Sequence, residues 1–313
     1  MLKSLLIKLR NLFRQKKYTS ISFERMWFLD EKTNTLESRG LSTMVEKALR
    51  DIRDNGIAII PGNISHEICD AVVRDFNTFV RKSKVSHEYR DEHSLHERLC
   101  NLQMISEAAR HICFNERTAE IVQAAFSSPY VVVGSLLFEK GSTQSIHRDT
   151  PAFFTNPLNH YFGIWNALED VRLGSGPLIY YKGGHKIAPD EYLYLDNGIN
   201  INNYFSFIED ACKTAGLELI EYYPKKGDTL IWHPQLSHGG GKITSPGLSR
   251  RSFVFHCIPR GCPIYGAEKF FDSSHTVPVL PPYKTIRYGN YEILDQGNPR
   301  FFHNRYEGNF DEH

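Results

Sequence analysis

His147-Arg148-Asp149 sets an imidazole and a carboxylate two residues apart, and His147 is the only one of the fourteen histidines followed at that spacing by an acid. A mononuclear iron(II) centre that must also take a co-substrate and oxygen needs three protein ligands on one face, with the opposite positions open. Two histidines and one carboxylate meet that need. HxD supplies two of them from one strand end or the loop after it, so a distant histidine must complete the set.

The stretch "KKGDTLIWHPQLSHGGGKITSPGLSRRSFVFHC" offers one. Gly227-Asp228 turns into the strand "TLIWHP", His238 follows, and three glycines after it let the backbone pass close to a neighbour. Arg250 and Arg251 open the next strand. A planar guanidinium makes two parallel charge-assisted hydrogen bonds to a carboxylate, and strand alternation lets only one of the two arginines face a pocket. HxD, a distal histidine and an arginine twelve or thirteen residues after it together suit iron and a dicarboxylic keto acid. "GGGKIT" is not a phosphate-binding loop, because Leu236 stands where that loop needs glycine. Two other uses of these residues stay open: a cupin-like metal enzyme that does not use a keto acid, which needs no such arginine, and a non-catalytic membrane-associated binding protein.

The elements that must position these residues are legible in outline. Leu41 to Arg53 reads as a helix, "NGIAIIPGNIS" as a short buried strand, and Ser65 as the N-cap of the helix "HEICDAVVRDFNTFVRKS". "SHEYRDEHSLHERL" collects His87, His93 and His96 without HExxH spacing and reads as a solvated helix. A further helix, broken near Asn115, leads to short β-branched or aromatic runs from Tyr130 onward, separated by Gly, Pro and Asp. Such strands predict a jelly roll with a helical flank. Residues 186–226 read as an insertion with a helix near "NYFSFIEDACKTAG", and the residues after Cys262 as ordered loop wrapping the fold.

With these pieces in order, the chain resembles the phytanoyl-CoA dioxygenase-like family of iron(II)- and 2-oxoglutarate-dependent oxygenases. The match runs through "NGIAIIPGNIS", "HRD", "GIWNALEDVRLGSGPLIYYKGGHK" and "GDTLIWHPQLSHGGG", and ends in "SRRSFVFHC". The resemblance implies a double-stranded β-helix core, cupin-like, over about residues 40–262, with N-terminal helices packed on it. It implies iron(II) held by His147, Asp149 and His238, and 2-oxoglutarate gripped by Arg250, with Arg251 as the alternative. The family's arginine commonly falls where this chain has Ser249, and aligning "SFVFH" on a histidine of relatives, here His256, favours Arg250. Gln144 occupies a polar position near the co-substrate, Trp165 a family aromatic position, and His233 a structural rather than a ligand position. The implied reaction is hydroxylation of an aliphatic C–H of a small-molecule, lipid-linked or sugar-linked substrate, with oxygen consumed, succinate and carbon dioxide released, and ascorbate as an accessory reductant. Halogenating relatives lack the carboxylate, so Asp149 favours hydroxylation.

Composition narrows the remaining classes. With 313 residues and 41% hydrophobic content the chain can bury a substantial core. Lys plus Arg, 37, nearly equals Asp plus Glu, 36, which leaves no basic surplus for nucleic acid. The six cysteines form no CxxC pair and no cleavable signal precedes them, so reduced thiols in a cytoplasmic protein are expected. Residues 1–18 differ from the rest: Leu2, Leu5, Leu6, Leu9, Leu12 and Phe13 recur at helical spacing among Lys3, Lys8, Arg10, Arg14, Lys16 and Lys17. That pattern predicts an amphipathic basic helix, suited to peripheral contact with an anionic membrane or to packing on protein.

Overall fold

Ser42, Ser65, Ser106 and Asn115 each accept a hydrogen bond from the backbone N–H three residues on, and each starts a helix. In this computed structural model the described residues run from 18 to 302, apart from 30–35, 37, 38, 85, 97, 197–199, 273 and 280–282. The expected helix of residues 1–18 lies outside them except for Tyr18. The first half of the chain holds β1 (Tyr18–Ser20), α1 (Thr43–Asn55), β2 (Ile57–Ile60), α2 (His66–Lys82), β3 (Arg98–Cys100), α3 (Glu107–Cys113) and α4 (Glu116–Phe126). Strands then dominate: β4 (Tyr130–Phe138), β5 (Phe154–Thr155), β6 (Phe162–Ala167) and β7 (Leu178–Tyr181). The insertion contributes α5 (Asp190–Leu195) and α6 (Ile201–Thr214) before β8 (Leu219–Tyr222), β9 (Thr229–Trp232), β10 (His238–Gly240) and β11 (Ser252–Pro259). After these come β12 (Ile264–Tyr265), α7 (Ala267–Phe270), β13 (Thr276–Pro278), β14 (Thr285–Tyr288), β15 (Tyr291–Leu294) and β16 (Arg300–Phe302).

Two sheets face each other across the site. The larger runs β14-β15-β4-β11-β6-β9-β2, with β3 also on β4 and β16 on β3, and the smaller runs β10-β7-β8. Trp165, Leu230, Trp232 and Val254 of the larger sheet meet Leu178 and Tyr180 of the smaller in one apolar cluster. The alternate residues, Ile164, Ile231, Phe253 and Phe255, pack with Leu49, Ile52, Val72 and Phe76 of the helices. Period-two alternation thus sends one face of the sheet to the helical flank and the other to the cavity between the sheets. This is the expected jelly roll with helices on it.

Two local readings are corrected. The histidine-rich stretch is not a solvated helix: one 3-10 turn covers Ser86–Tyr89, and Arg90 then bridges back to His96. Asp91 makes the turn by accepting from the backbone N–H groups of His93 and Leu95, and His96 is buried with Nδ1 2.8 Å from a carboxylate oxygen of Glu139. A local Asp turn plus a buried polar partner outweighs the helical pattern. The residues after Cys262 are not loop alone, because β14, β15 and β16 extend the larger sheet. Among the described residues no helix is long and apolar enough to cross a membrane.

Candidate metal centre

His147 and His238 are brought face to face by the backbone. Each accepts from the other's N–H, at 2.8 and 2.9 Å, and their rings lie 4.5 Å apart. The glycines after His238 make this possible. A Cβ at Gly239 would lie 2.7 Å from the Gln144 carbonyl oxygen, and one at Gly240 would lie 2.7 Å from the Thr143 nitrogen. The close neighbour those glycines announce is therefore the strand-like segment that leads into HxD.

The tautomers are set by the same loops. His147 Nδ1 lies 2.7 Å from the Ser145 carbonyl oxygen, and His238 Nδ1 lies 2.9 Å from that of Leu236. A carbonyl oxygen only accepts, so both Nδ1 atoms carry the proton and both Nε2 lone pairs are left for a metal. His147 Nε2 is 3.6 Å from Asp149 Oδ1, and His238 Nε2 is 3.7 Å from Oδ2. One ligand atom from each residue falls within 4.8 Å of the others, the one such group among the described residues. Burial alone would raise the Asp149 pKa, but His238 and His256 outweigh it and hold the carboxyl well below the usual range. Burial pushes His238 down to about 4, against the pull of Asp149. At neutral pH the group is an ionised carboxylate beside a neutral imidazole, the protonation state a divalent metal requires.

Strand alternation separates the two arginines. Arg250 has the parity of Ser252, Val254 and His256, which face the cavity. Its guanidinium is buried, donates to Ser252 Oγ at 3.2 Å, leaves Nε without a partner, and lies 5.7 Å from each of the Phe138 and Trp165 rings. Burial draws its pKa down to about 10, with Glu169 opposing. Arg251 is instead committed to carboxylates, Glu139 at 2.9 Å and Glu169 at 3.3 Å. Trp165 is buried on the same inner face, opposite Val254 on one side and Leu230 on the other. Gln144 is half-buried, and its backbone carbonyl accepts from Gly240 N at 2.9 Å. His233 stands apart from the ligand group, buried, with its ring 4.8 Å from that of His185.

Three neighbours, Arg148, Asp190 and Trp232, escaped the sequence reading. Arg148, between the two ligands of HxD, is 1% exposed and donates to Asp190 Oδ1 at 2.8 Å and to the Gly184, Ile187 and Ala188 carbonyls. Asp190 also accepts from Thr150 at 2.6 Å and from Tyr204 at 2.8 Å, so α5 and α6 of the insertion are tied to the ligand loop. Trp232 donates its indole N–H to Asp149 Oδ2 at 3.1 Å, and His256 donates to the same oxygen at 2.9 Å. The one available signal was parity, since Trp232 and Leu230 alternate onto the cavity face of "TLIW". A cavity of about 210 Å³ beside His185, Lys186, His233 and Gln235 is lined by none of the three ligands.

Comparison with known proteins agrees with this geometry. A family model described as phytanoyl-CoA dioxygenase matches residues 52–252. The peroxisomal phytanoyl-CoA dioxygenase of Bos taurus is 32% identical over 127 residues, 40% of this chain and 36% of that protein. The Homo sapiens protein of the same name is 28% identical over 126 residues, again 40% and 36%. The match thus spans little more than a third of the length of these curated relatives. Among solved structures, the epimerase SnoN in complex with Fe3+, alpha ketoglutarate and nogalamycin RO superposes with a TM-score of 0.59 at 17% identity, covering 80% of this chain and 98% of that one. The alpha ketoglutarate dependent carbocyclase SnoK gives 0.57 at 17% identity, covering 78% and 94%. At these identities the likeness establishes the fold.

Proposed function

The chain belongs to the phytanoyl-CoA dioxygenase family of iron(II)- and 2-oxoglutarate-dependent oxygenases, and from that premise we propose that it hydroxylates an aliphatic C–H of a small or lipid-linked molecule. The observation that carries the reading is the pairing of a two-histidine, one-aspartate group with a buried guanidinium that makes no ion pair at contact distance among the described residues. His147 Nε2, Asp149 and His238 Nε2 would hold iron(II), a donor set that suits this metal and leaves positions for two further ligands. Arg250 would hold the distal carboxylate of 2-oxoglutarate, which supplies the charge that a buried arginine otherwise lacks. With both bound, the centre would use O2 as oxidant, one oxygen atom going to succinate as 2-oxoglutarate loses carbon dioxide and the other to the hydroxylated C–H carbon. Trp165, Leu230 and Val254 form an apolar wall in the same cavity, which would keep water from the reacting centre. Phe205 of α6 meets the His147 ring edge-on at 6.3 Å, which supports the insertion as the substrate-facing element. Retention of Asp149 favours hydroxyl return over halide transfer.

Anaerobic titration of the apoprotein with iron(II) and 2-oxoglutarate tests this reading through the weak visible charge-transfer band of the chelate. Wild type and Arg251→Ala are expected to form the band, and Arg250→Ala to lose it at the same co-substrate concentration. A full band in Arg250→Ala would remove the assigned anchor. Metal binding without any band in wild type would favour a metal enzyme that does not use 2-oxoglutarate.

We also propose that residues 1–18 rest on an anionic membrane surface. Their leucines and lysines have the composition for it, and β1 fixes where the segment leaves the fold, with Tyr18 paired to Pro278 beside the exposed Val279. Deleting residues 1–17 should abolish co-sedimentation with vesicles rich in phosphatidylserine. Unchanged co-sedimentation would remove the proposal.

A further inference from the structure

Asp149 is carried by the loop after His147, yet both hydrogen bonds to its carboxylate come from the larger sheet and both fall on Oδ2. The donors are neighbours in register. Trp232 of β9 lies opposite Gly163 of β6, and Gly163 lies opposite His256 of β11. Position 163 therefore stands between the two donors on the cavity face of the sheet. A Cβ there would lie 2.1 Å from Trp232 Nε1 and 2.3 Å from its Cε2, so the indole occupies the space that any side chain at 163 would need. Stacking on Phe153, with ring centroids 3.8 Å apart, holds the His256 ring. The Trp232 ring lies 4.7 Å from that of His238, which places the clamp against the ligand group itself.

We propose that Trp232, with the vacancy provided by Gly163, is a positioning residue. Its N–H and that of His256 saturate Oδ2, so Asp149 presents Oδ1 alone to the metal and cannot close into a two-oxygen chelate. That keeps a coordination position open for the co-substrate pair, and in this respect the inference rests on the function proposed above. Partners that orient a ligand in this way commonly change metal affinity 10- to 100-fold when removed.

The test is Mn(II) binding to the apoprotein followed by electron paramagnetic resonance, which needs neither 2-oxoglutarate nor turnover. Trp232→Phe keeps an aromatic ring and removes the donor, and its Mn(II) affinity is expected to fall about tenfold or more with an altered Mn(II) line shape. Gly163→Ala should displace the indole and reproduce that spectrum, while Trp232→Phe/Gly163→Ala should add little further loss of affinity, because the same hydrogen bond cannot be lost twice. Thermal melting of each apo variant separates loss of fold from loss of the clamp, and Trp232→Phe alone decides the matter if Gly163→Ala does not fold. Wild-type affinity and line shape in Trp232→Phe would overturn the proposal. The function fails separately: wild type that binds Mn(II) but forms no iron(II)–2-oxoglutarate band leaves the clamp standing and removes the reaction.

Discussion

His238→Ala is expected to reduce substrate-independent conversion of 2-oxoglutarate to succinate at least about a thousandfold, equivalent to about 4 kcal/mol of lost stabilisation. His238 supplies one of two imidazole nitrogens aimed at the same point, and burial keeps it neutral, so no proton competes for the lone pair at pH 7. Alanine leaves one partly buried carboxylate and one imidazole, too few donors to hold iron(II) against water. Thermal melting gives a readout independent of turnover. Wild type should gain about 2.7 kcal/mol when free metal is a hundred times its dissociation constant, and the variant should gain almost nothing. Succinate formation within tenfold of wild type would exclude His238 as a ligand.

Arg148→Met is expected to cost about 3–5 kcal/mol of folding stability, read from the shift of the urea midpoint. Both partners of the Arg148–Asp190 pair are fully buried, and removing one leaves the other's charge in a medium that solvates it poorly. Thr150 and Tyr204 still donate to Asp190, which limits the loss but does not supply a cation. Arg148→Met/Asp190→Asn should recover part of the stability, because the uncompensated charge is gone. A change below about 1 kcal/mol in the single variant would show that the pair does not hold the ligand loop to the insertion.

Most of what rests on residues close in the chain was legible beforehand. Ser65 does start a helix, the next helix does break at Asn115, and the runs around Val132, Trp165, Tyr180, Ile231 and Phe255 are strands. The grouping of His147, Asp149 and His238 was legible because HxD, a distal histidine followed by three glycines, and an arginine a dozen residues later stand in that order. Where the reading failed, around His93 and His96, a helical count over a few residues competed with an Asp91 turn and a partner at Glu139. Side-chain burial against a distant residue decided that contest, and no local pattern records it.

The sequence by itself determined the residue types of the candidate metal group, the strand and helix periods, and the rule that only one of Arg250 and Arg251 can face inward. The family resemblance favoured Arg250, and tertiary structure decided which of the two faces inward. Parity has no absolute sign until β11 is in register between β4 and β6, which sends Arg250 to the Trp165 side and Arg251 to Glu139 and Glu169. The same holds for the Trp232 and His256 hydrogen bonds to Asp149 and for the Arg148–Asp190 pair, whose partners lie 83, 107 and 42 residues apart. Capping and alternation act over a few bonds and are written in composition. Burial of a charge, and the partner it requires, exist only once two sheets close over a common interior.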